Sequence, residues 1–326
     1  MEKIRKAISY LFLIIAFAAL LLCSGEVLDS AKRGLSLCAK IIVPSLLPFF
    51  ILSSLIGDVG LPTYLGNICA PLMSRLFGVS GAGAAAFILG VTGGYPLGAS
   101  VVSGLVARKE ICREEGARLL AFCNNSGPAF IIGAAGIGVF QSSGAGLMLY
   151  AAHVLAAATV GVLLSGEGRA RKDSRAAARL PVHIKTVSLA EALPNAVRTS
   201  VASVLSICGF VVTFTVCVGV LDAAGIFPQI TGELARFSGL GLRVSRALLT
   251  GLLEIGSGIG SLEGLSPTPV NLAAAAFILG WGGLSVHFQT IAVTAEAKIN
   301  IARHTAGRFL SGLISAIYVL GLCLVF

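Results

Sequence analysis

The seven residues AAAFILG occur twice in the chain, at Ala84–Gly90 and again at Ala274–Gly280. The same spacing between the two copies continues beyond them and pairs Arg118 with Arg308. Upstream, a looser match at a shorter spacing relates the preceding segments of the two halves. Chance similarity between alanine-rich segments is the alternative explanation, but the matches outside the heptapeptide favour an internal repeat.

The composition of the chain is that of an integral membrane protein. Of its 326 residues, 56% are hydrophobic and only 12% are charged, against about 25% charged residues in soluble domains. So few charges cannot cover a water-exposed surface, but they suffice where lipid covers most of it. The net charge of +9 lies mainly in short loops, which is typical of a topology signal, so we predict no nucleic-acid partner.

Apolar stretches of spanning length divide the chain into many membrane segments. Six are continuous, at about 8–23, 35–56, 117–140, 144–165, 196–221 and 306–326. Three more are interrupted, at 82–107, 243–262 and 271–302. Two regions, 62–80 and 224–241, are read as short interfacial helices.

The longest hydrophilic segment, residues 166–190, separates two halves of the chain. Its excess of lysine and arginine predicts a cytoplasmic position. We therefore predict four parts: an N-terminal membrane helix (1–30), a first repeat (31–165), this basic linker, and a second repeat (191–326).

Threading the chain from a cytoplasmic N-terminus gives the two repeats opposite orientations. Segment 35–56 then runs inward, whereas segment 196–221 runs outward. Inverted repeats are common in secondary transporters, where substrate binds between the repeats. The predicted fold is an all-α, polytopic helical bundle with inverted repeats and two re-entrant helical hairpins. On this alignment the second repeat contains an additional segment near 243–268.

Each copy of the heptapeptide is followed by a helix break. The residues at the two breaks are Gly93, Gly94 and Tyr95 in the first copy and Gly282, Gly283 and Ser285 in the second. The arms beside each break are too short to cross a bilayer core of about 30 Å. They predict two re-entrant hairpins, whose open tips persist only where they face protein or a water-filled cavity. A kinked spanning helix with glycine for packing is the alternative.

Polar residues near the breaks are the remaining candidate solute ligands. They are Asn124, Asn125 and Ser126 in a break within segment 117–140, and His287 and Gln289 after the second tip. Polar groups at membrane depth are unfavourable unless they bond something, and the free ends of a broken helix suit ions of either sign. A packing kink with satisfied amides is the alternative.

Glu254 is the candidate coupling residue. It stands in an apolar, glycine-rich segment with no further charge before Glu263. An acid at membrane depth is a functional candidate, able to exchange a proton or to hold a sodium ion. The alternative is an acid near the membrane surface that pairs with Arg243 or Arg246.

Several classes of site have no support in the sequence. None of the eight cysteines forms a C-x-x-C pair, so we predict neither a metal site nor a cofactor. No zinc-protease, nucleophile-elbow or nucleotide-binding motif occurs, so we predict that the protein is not an enzyme. Arg118 and Arg308 are interpreted as anchors whose side chains extend to the membrane surface.

Three motifs carry a resemblance to a known family. They are Gly94–Ala99, Ser126–Pro128 with Phe130–Gly133, and Gly282–Gln289. Together they are similar to the YlbJ family of sporulation integral membrane proteins. That family carries the nucleoside-recognition Gate domain, which is also found in concentrative nucleoside transporters.

The resemblance implies a transporter for a small organic anion, dipicolinic acid, in a bacterial cell membrane that is the outer forespore membrane. It leaves open a nucleoside or cation transporter of the Gate type, and a structural or assembly protein of the spore envelope. The implied partners are a small solute, the lipid bilayer and a coupling proton or sodium ion, with a homo-oligomer left open. The chain departs from the family pattern after Glu254, where Gly256 and Ser257 stand in place of a threonine.

Overall fold

The computed structural model describes residues 2–58, 68–166 and 188–325. All regular structure within these ranges is helical, and no strand occurs in them. The all-helical fold predicted from the sequence is therefore confirmed. Most of the predicted linker 166–190 and the first part of region 62–80 lie outside the described residues.

The first half of the chain is a succession of short and long helices. They are α1 (Glu2–Leu22), α2 (Ser24–Leu37), α3 (Val43–Asp58), α4 (Ile68–Phe77), α5 (Ala82–Gly93), α6 (Leu97–Ala107), α7 (Arg113–Cys123), α8 (Ala129–Val139) and α9 (Ser143–Leu163). The turns of α8 are π-helical, and a π-helical segment, Cys38–Ile42, joins α2 to α3. The helix axis turns by 94° where α1 meets α2.

The second half repeats this order from α3 onward. Its helices are α10 (Leu189–Ala223), α11 (Ile226–Ser238), α12 (Leu242–Leu253), α13 (Ile255–Gly260), α14 (Pro269–Trp281), α15 (Gly283–Thr294) and α16 (Ala302–Val325). Each half thus has one long helix, one short helix, a helix pair, a broken helix and a final helix. In this order α5 corresponds to α12, and not to α14 as the heptapeptide suggests.

The second hairpin is not where the sequence pattern predicts it. The arms α5 and α6 pack side by side, and so do α12 and α13. In contrast, α14 and α15 make almost no contact with each other and together form one candidate span of 26 residues. The prediction of a re-entrant hairpin in region 271–302 is wrong, and the kinked spanning helix is correct there. Segment 243–268 is not an insertion, because it contains the second hairpin.

Packing explains why the heptapeptide misleads the alignment. A Cβ atom on Gly90 would overlap the carbonyl group of Cys123, and one on Gly280 would overlap the backbone of Gly312. Both copies are therefore helices whose small residues permit a close crossing. The same packing requirement acts on a hairpin arm in one half and on a broken spanning helix in the other.

Four helical segments of the described chain are long and apolar enough to cross a membrane: α9, α10, α14 together with α15, and α16. The number rises to six if each of two bent pairs, α1 with α2 and α4 with α5, is one span. Segment 117–140 is divided at the predicted break, on either side of which lie the 11-residue helices α7 and α8. The polytopic membrane class is confirmed.

Two groups of helices hold the hairpins between them. The long helix α10 packs along α2 and α3, and α16 packs against α14, α9 and α7. The largest buried apolar cluster contains residues from both groups and from both hairpins. This arrangement brings the hairpin tips to the middle of the molecule.

Candidate solute-binding site

Both hairpin tips, the first break and helix α15, which follows the second break, line one cavity. The first half lines it with Ile42, Leu46, Gly94, Tyr95, Ser126, Gly127 and Phe130, and the second with Ile207, Val211, Glu254, Ile255, Gly256, Val286 and Gln289. The upstream match of the two halves pairs Ile42 with Ile207 and Leu46 with Val211, so that match has a structural counterpart. The cavity volume is about 40 Å³, enough for about three water molecules.

The first hairpin tip is closed by a glycine contact. Gly94 has φ +83°, a conformation in which a side chain is strained. A Cβ atom on Gly94 would lie 2.8 Å from the backbone nitrogen of Gly127. Tyr95 is buried, and its hydroxyl donates to the carbonyl of Leu279, at 3.4 Å. The first tip therefore contacts the broken helix of its own half and the broken helix of the other half.

The first break is fixed by hydrogen bonds within the protein. Asn124 Oδ1 accepts from the backbone N–H of Ala99 at 3.3 Å, and its Nδ2 donates to Thr290 Oγ1 at 2.9 Å. The Asn124 side chain thus connects α6 to α15. Ser126 donates its backbone N–H to Nε2 of His153 at 3.1 Å.

Asn125 takes part in the same network. Its Nδ2 donates to the carbonyl of Phe122 at 2.7 Å, and its Oδ1 accepts from Arg308 Nη1 at 2.8 Å. Both amide groups of the pair Asn124–Asn125 are therefore occupied by protein partners in this conformation.

Glu254 forms the tip of the second hairpin. It is 1% exposed and lies between α12 and α13, where its carboxylate accepts from the backbone N–H groups of Gly256 at 2.9 Å and Ser257 at 2.5 Å. It is thus the N-cap of α13. The alternative position, at the surface beside an arginine, is wrong for Glu254: Arg246 pairs with Asp222, and Arg243 donates to the carbonyl of Glu263.

The second break packs against this tip. Gly282 and Gly283 have φ +87° and +77°, and a Cβ atom on Gly283 would lie 3.0 Å from the backbone nitrogen of Ile255. The buried hydroxyl of Ser285, two residues after this break, has no hydrogen-bond partner. The second half therefore reproduces the contact between tip and break that closes the first half.

His287 and Gln289 follow the second break and are both buried. The centre of the His287 ring lies 4.2 Å from that of the Trp281 ring, and its Nδ1 is 2.8 Å from the carbonyl of Gly283. Gln289 faces the cavity, and its Oε1 has no hydrogen-bond partner. Of these two candidates, only Gln289 presents a free polar atom at the cavity wall.

The structure thus divides the predicted site residues into two sets. Gly94, Tyr95, Ser126, Glu254 and Gln289 line the cavity. The others are buried but do not line it: Gly93, Asn124, Asn125, Gly282, Gly283, Ser285 and His287. Within the described ranges no group of three histidine, cysteine or acidic residues is placed to hold a metal ion.

Arg308 lies beside the site, whereas the sequence pattern predicts that its side chain extends to the membrane surface. Its side chain is 0% exposed, and does not extend to a membrane surface. It bonds Asn125 and the carbonyl of Gly280, and its guanidinium carbon lies 5.7 Å from the centre of the Tyr95 ring. A signal is available in α16: His304, Ser311 and Ser315 share a helical face with Arg308, and all three are buried.

A second, more polar cavity lies beyond Glu254. Its volume is about 330 Å³. Its charged and hydroxyl-bearing lining residues are Arg33, Thr215, Asp222, Arg246, Thr250, Ser257, Ser261 and Glu263. We call this second cavity the vestibule. Ser257 lines it, and the Ser257 hydroxyl is 3.0 Å from that of Thr215. Since the Ser257 backbone also bonds Glu254, the second tip separates the two cavities.

Comparison of the sequence with known proteins identifies the family to which the chain belongs. No protein-family profile matches it. The sporulation integral membrane protein YlbJ of Bacillus subtilis (strain 168) is 33% identical over 317 aligned residues, which cover 90% of this chain and 76% of that protein. This chain belongs to the YlbJ family. The resemblance noted in the three sequence motifs is therefore confirmed.

Solved transporter structures share the fold of this YlbJ-family protein. CNTnw in an inward-facing, substrate-bound state has a TM-score of 0.56 and 14% identity, with 98% of this chain and 85% of that chain covered. A CNTnw variant in an outward-facing state has a TM-score of 0.53 and 14% identity, with 98% and 86% covered. These are concentrative nucleoside transporters, and the likeness shows that the chain has a membrane-transporter fold.

Proposed function

We propose that this protein is a permease for a small organic anion, and that dipicolinate (pyridine-2,6-dicarboxylate) in the outer forespore membrane is its solute. The observation that carries the proposal is the cavity between the two hairpin tips, which the first break and the helix that follows the second break also line. Such discontinuous helices form the solute sites of secondary transporters. The sporulation name of the YlbJ relative is the reason for the choice of solute and membrane.

The first half supplies the features that suit an anion. Helix α8 begins at Ala129, two residues after the cavity residue Gly127. The beginning of a helix carries partial positive charge and open N–H groups, which favour carboxylates. The second tip differs, because Glu254 already occupies the N–H groups of Gly256 and Ser257.

Transport requires the hairpin tips to move. A cavity of about 40 Å³ holds about three water molecules, so a ring-bearing solute enters only after a tip has parted from its break. Parting of the second tip joins the cavity to the polar vestibule beside Glu254. Glu254 is then the group that changes environment with each cycle, and we propose that it couples transport to a proton or cation gradient.

The test is uptake into lipid vesicles that hold the purified protein. Labelled dipicolinate and a labelled nucleoside are offered separately, with empty vesicles as the control. Dipicolinate uptake above the control, without nucleoside uptake, supports the proposal. Nucleoside uptake alone favours the alternative suggested by the shared fold with CNTnw, and uptake of neither solute favours a structural role in the spore envelope.

A further inference from the structure

Arg308 is the largest of the fully buried side chains in the described chain. It stands in the second turn of α16, a helix that packs against α14, α9 and α7. A guanidinium stays charged at any physiological pH, and a charge removed from water is unfavourable unless it is paired. The contacts of the Arg308 guanidinium therefore indicate the role of its charge.

The guanidinium reaches three parts of the cavity wall at once. Nη1 donates to Asn125 Oδ1 in the first break at 2.8 Å, and Nη2 donates to the carbonyl of Gly280 in the last turn before the second break. The ring of Tyr95, at the first hairpin tip, lies 5.7 Å away. A single side chain of α16 therefore ties together both broken helices and one tip.

The charge of this guanidinium is not neutralised by a neighbouring acid. In the described part of the chain, no carboxylate lies within salt-bridge distance of Arg308. The ionisable side chains beside it are Tyr95 and His304, which lies one turn earlier on the same buried face of α16. Neither group carries negative charge at neutral pH. Arg308 Nε also has no hydrogen-bond partner.

We propose that Arg308 is the residue that positions the two helix breaks, and that its uncompensated charge makes the cavity select anionic solutes. The charge acts across the Tyr95 ring and the Asn125 amide, which separate it from the cavity. Because the intervening medium is protein, the charge is screened less than in water. The second part of this proposal rests on the proposed function; the first part does not.

The positioning role is tested without transport. In Arg308→Ala, free guanidinium ions can enter the space that the side chain leaves. We expect guanidinium chloride at tens of millimolar to raise the melting temperature of the purified Ala variant, whereas equal sodium chloride does not. Arg118→Ala is the matched control, because Arg118 is also buried but lies on α7 and makes none of these bonds. Equal responses of both variants to guanidinium would overturn the positioning role.

Selection by charge is tested by ligand-induced thermal shifts and by uptake. The probes are dipicolinate and its neutral analogue 2,6-pyridinedimethanol. We expect the parent and Arg308→Lys to be stabilised by dipicolinate only, and Arg308→Gln to bind it about tenfold more weakly, a loss of about 1.4 kcal/mol.

Two outcomes would overturn selection by charge: a folded Arg308→Gln variant that keeps the parent's preference, or a parent that does not distinguish the two probes. If the parent binds dipicolinate selectively but no vesicle shows uptake, the proposed transport function fails while the role of Arg308 stands.

Discussion

The two hairpins have the same architecture and opposite chemistry. At the first tip, Gly94 packs on the backbone of Gly127, and the nearest buried charge is the cation Arg308. At the second tip, the carboxyl group of Glu254 caps α13, and the backbone of Glu254 packs on Gly283. The two halves therefore repeat the shape of the site, while a single basic residue stands behind one tip and a single acidic residue forms the other. We expect from this asymmetry that the first half binds the anionic solute, and that Glu254 in the second half couples transport to a gradient.

The largest expected effect concerns which side of the membrane each hairpin enters from. If the repeats are inverted, the open ends of the two hairpins face opposite sides. Exposed Cys112 lies just after the first hairpin, and exposed Ser266 lies just after the second. We expect a protein with Cys112 as its single cysteine and a Ser266→Cys variant without native cysteines to react with an impermeant thiol reagent from opposite sides. Labelling of both from one side only would contradict inverted repeats.

A large effect on coupling is expected from Glu254→Gln. The glutamine oxygen keeps one of the two hydrogen bonds that the α13 backbone donates to Glu254, but the side chain no longer carries a proton or binds a cation strongly. Gradient-driven accumulation in vesicles should be lost, whereas exchange of solute without a gradient should continue. Glu233→Gln, an exposed position on α11, serves as the control and should behave as the parent. If the parent also ignores every imposed gradient, the protein is a passive facilitator and Glu254 is only a helix cap.

A smaller effect is expected from Gly94→Ala. The alanine meets a backbone conformation with φ +83°, which costs about 1–3 kcal/mol in a non-glycine residue, and its Cβ atom presses on Gly127. We expect a lower melting temperature and slower transport. Gly133→Ala is the control, since nothing lies within 4 Å of a Cβ atom there, and a change of about 0.5 kcal/mol or less is expected. Equal losses in the two variants would show that the first tip is not closed by this contact.

The sequence locates the helix breaks but not which of them are hairpin tips. Glycines, prolines and polar residues in apolar stretches interrupt helices by local chemistry, so the breaks near Gly94, Asn125, Glu254 and Gly282 are all visible in it. Whether the two arms fold back on each other depends on tertiary packing, which no local pattern encodes. The repeated heptapeptide is a misleading guide because it reports close helix packing, not equivalent position.

The local sequence pattern also does not determine how deeply a charged side chain is buried. An arginine near the beginning of an apolar helix usually extends to the membrane surface, and that rule gives the wrong position for Arg308. Its burial depends on α14 and on the first break, which supply the oxygen atoms that it bonds. The polar face of α16 is the available hint, since serine and histidine recur there at helical spacing. Glu254, in contrast, stands in an apolar, glycine-rich segment, and its burial agrees with that setting.

The central claim is that solute binds between the two tips, and protection from labelling tests it most directly. Ser126→Cys and Ile255→Cys, made separately without native cysteines, place a thiol on the cavity wall contributed by each half. A small thiol reagent is applied with and without dipicolinate, and the protein with Cys112 alone is the control. The account predicts that dipicolinate slows labelling at both cavity positions and leaves Cys112 unaffected. Unchanged labelling at both cavity positions, under conditions where dipicolinate is transported, would contradict it.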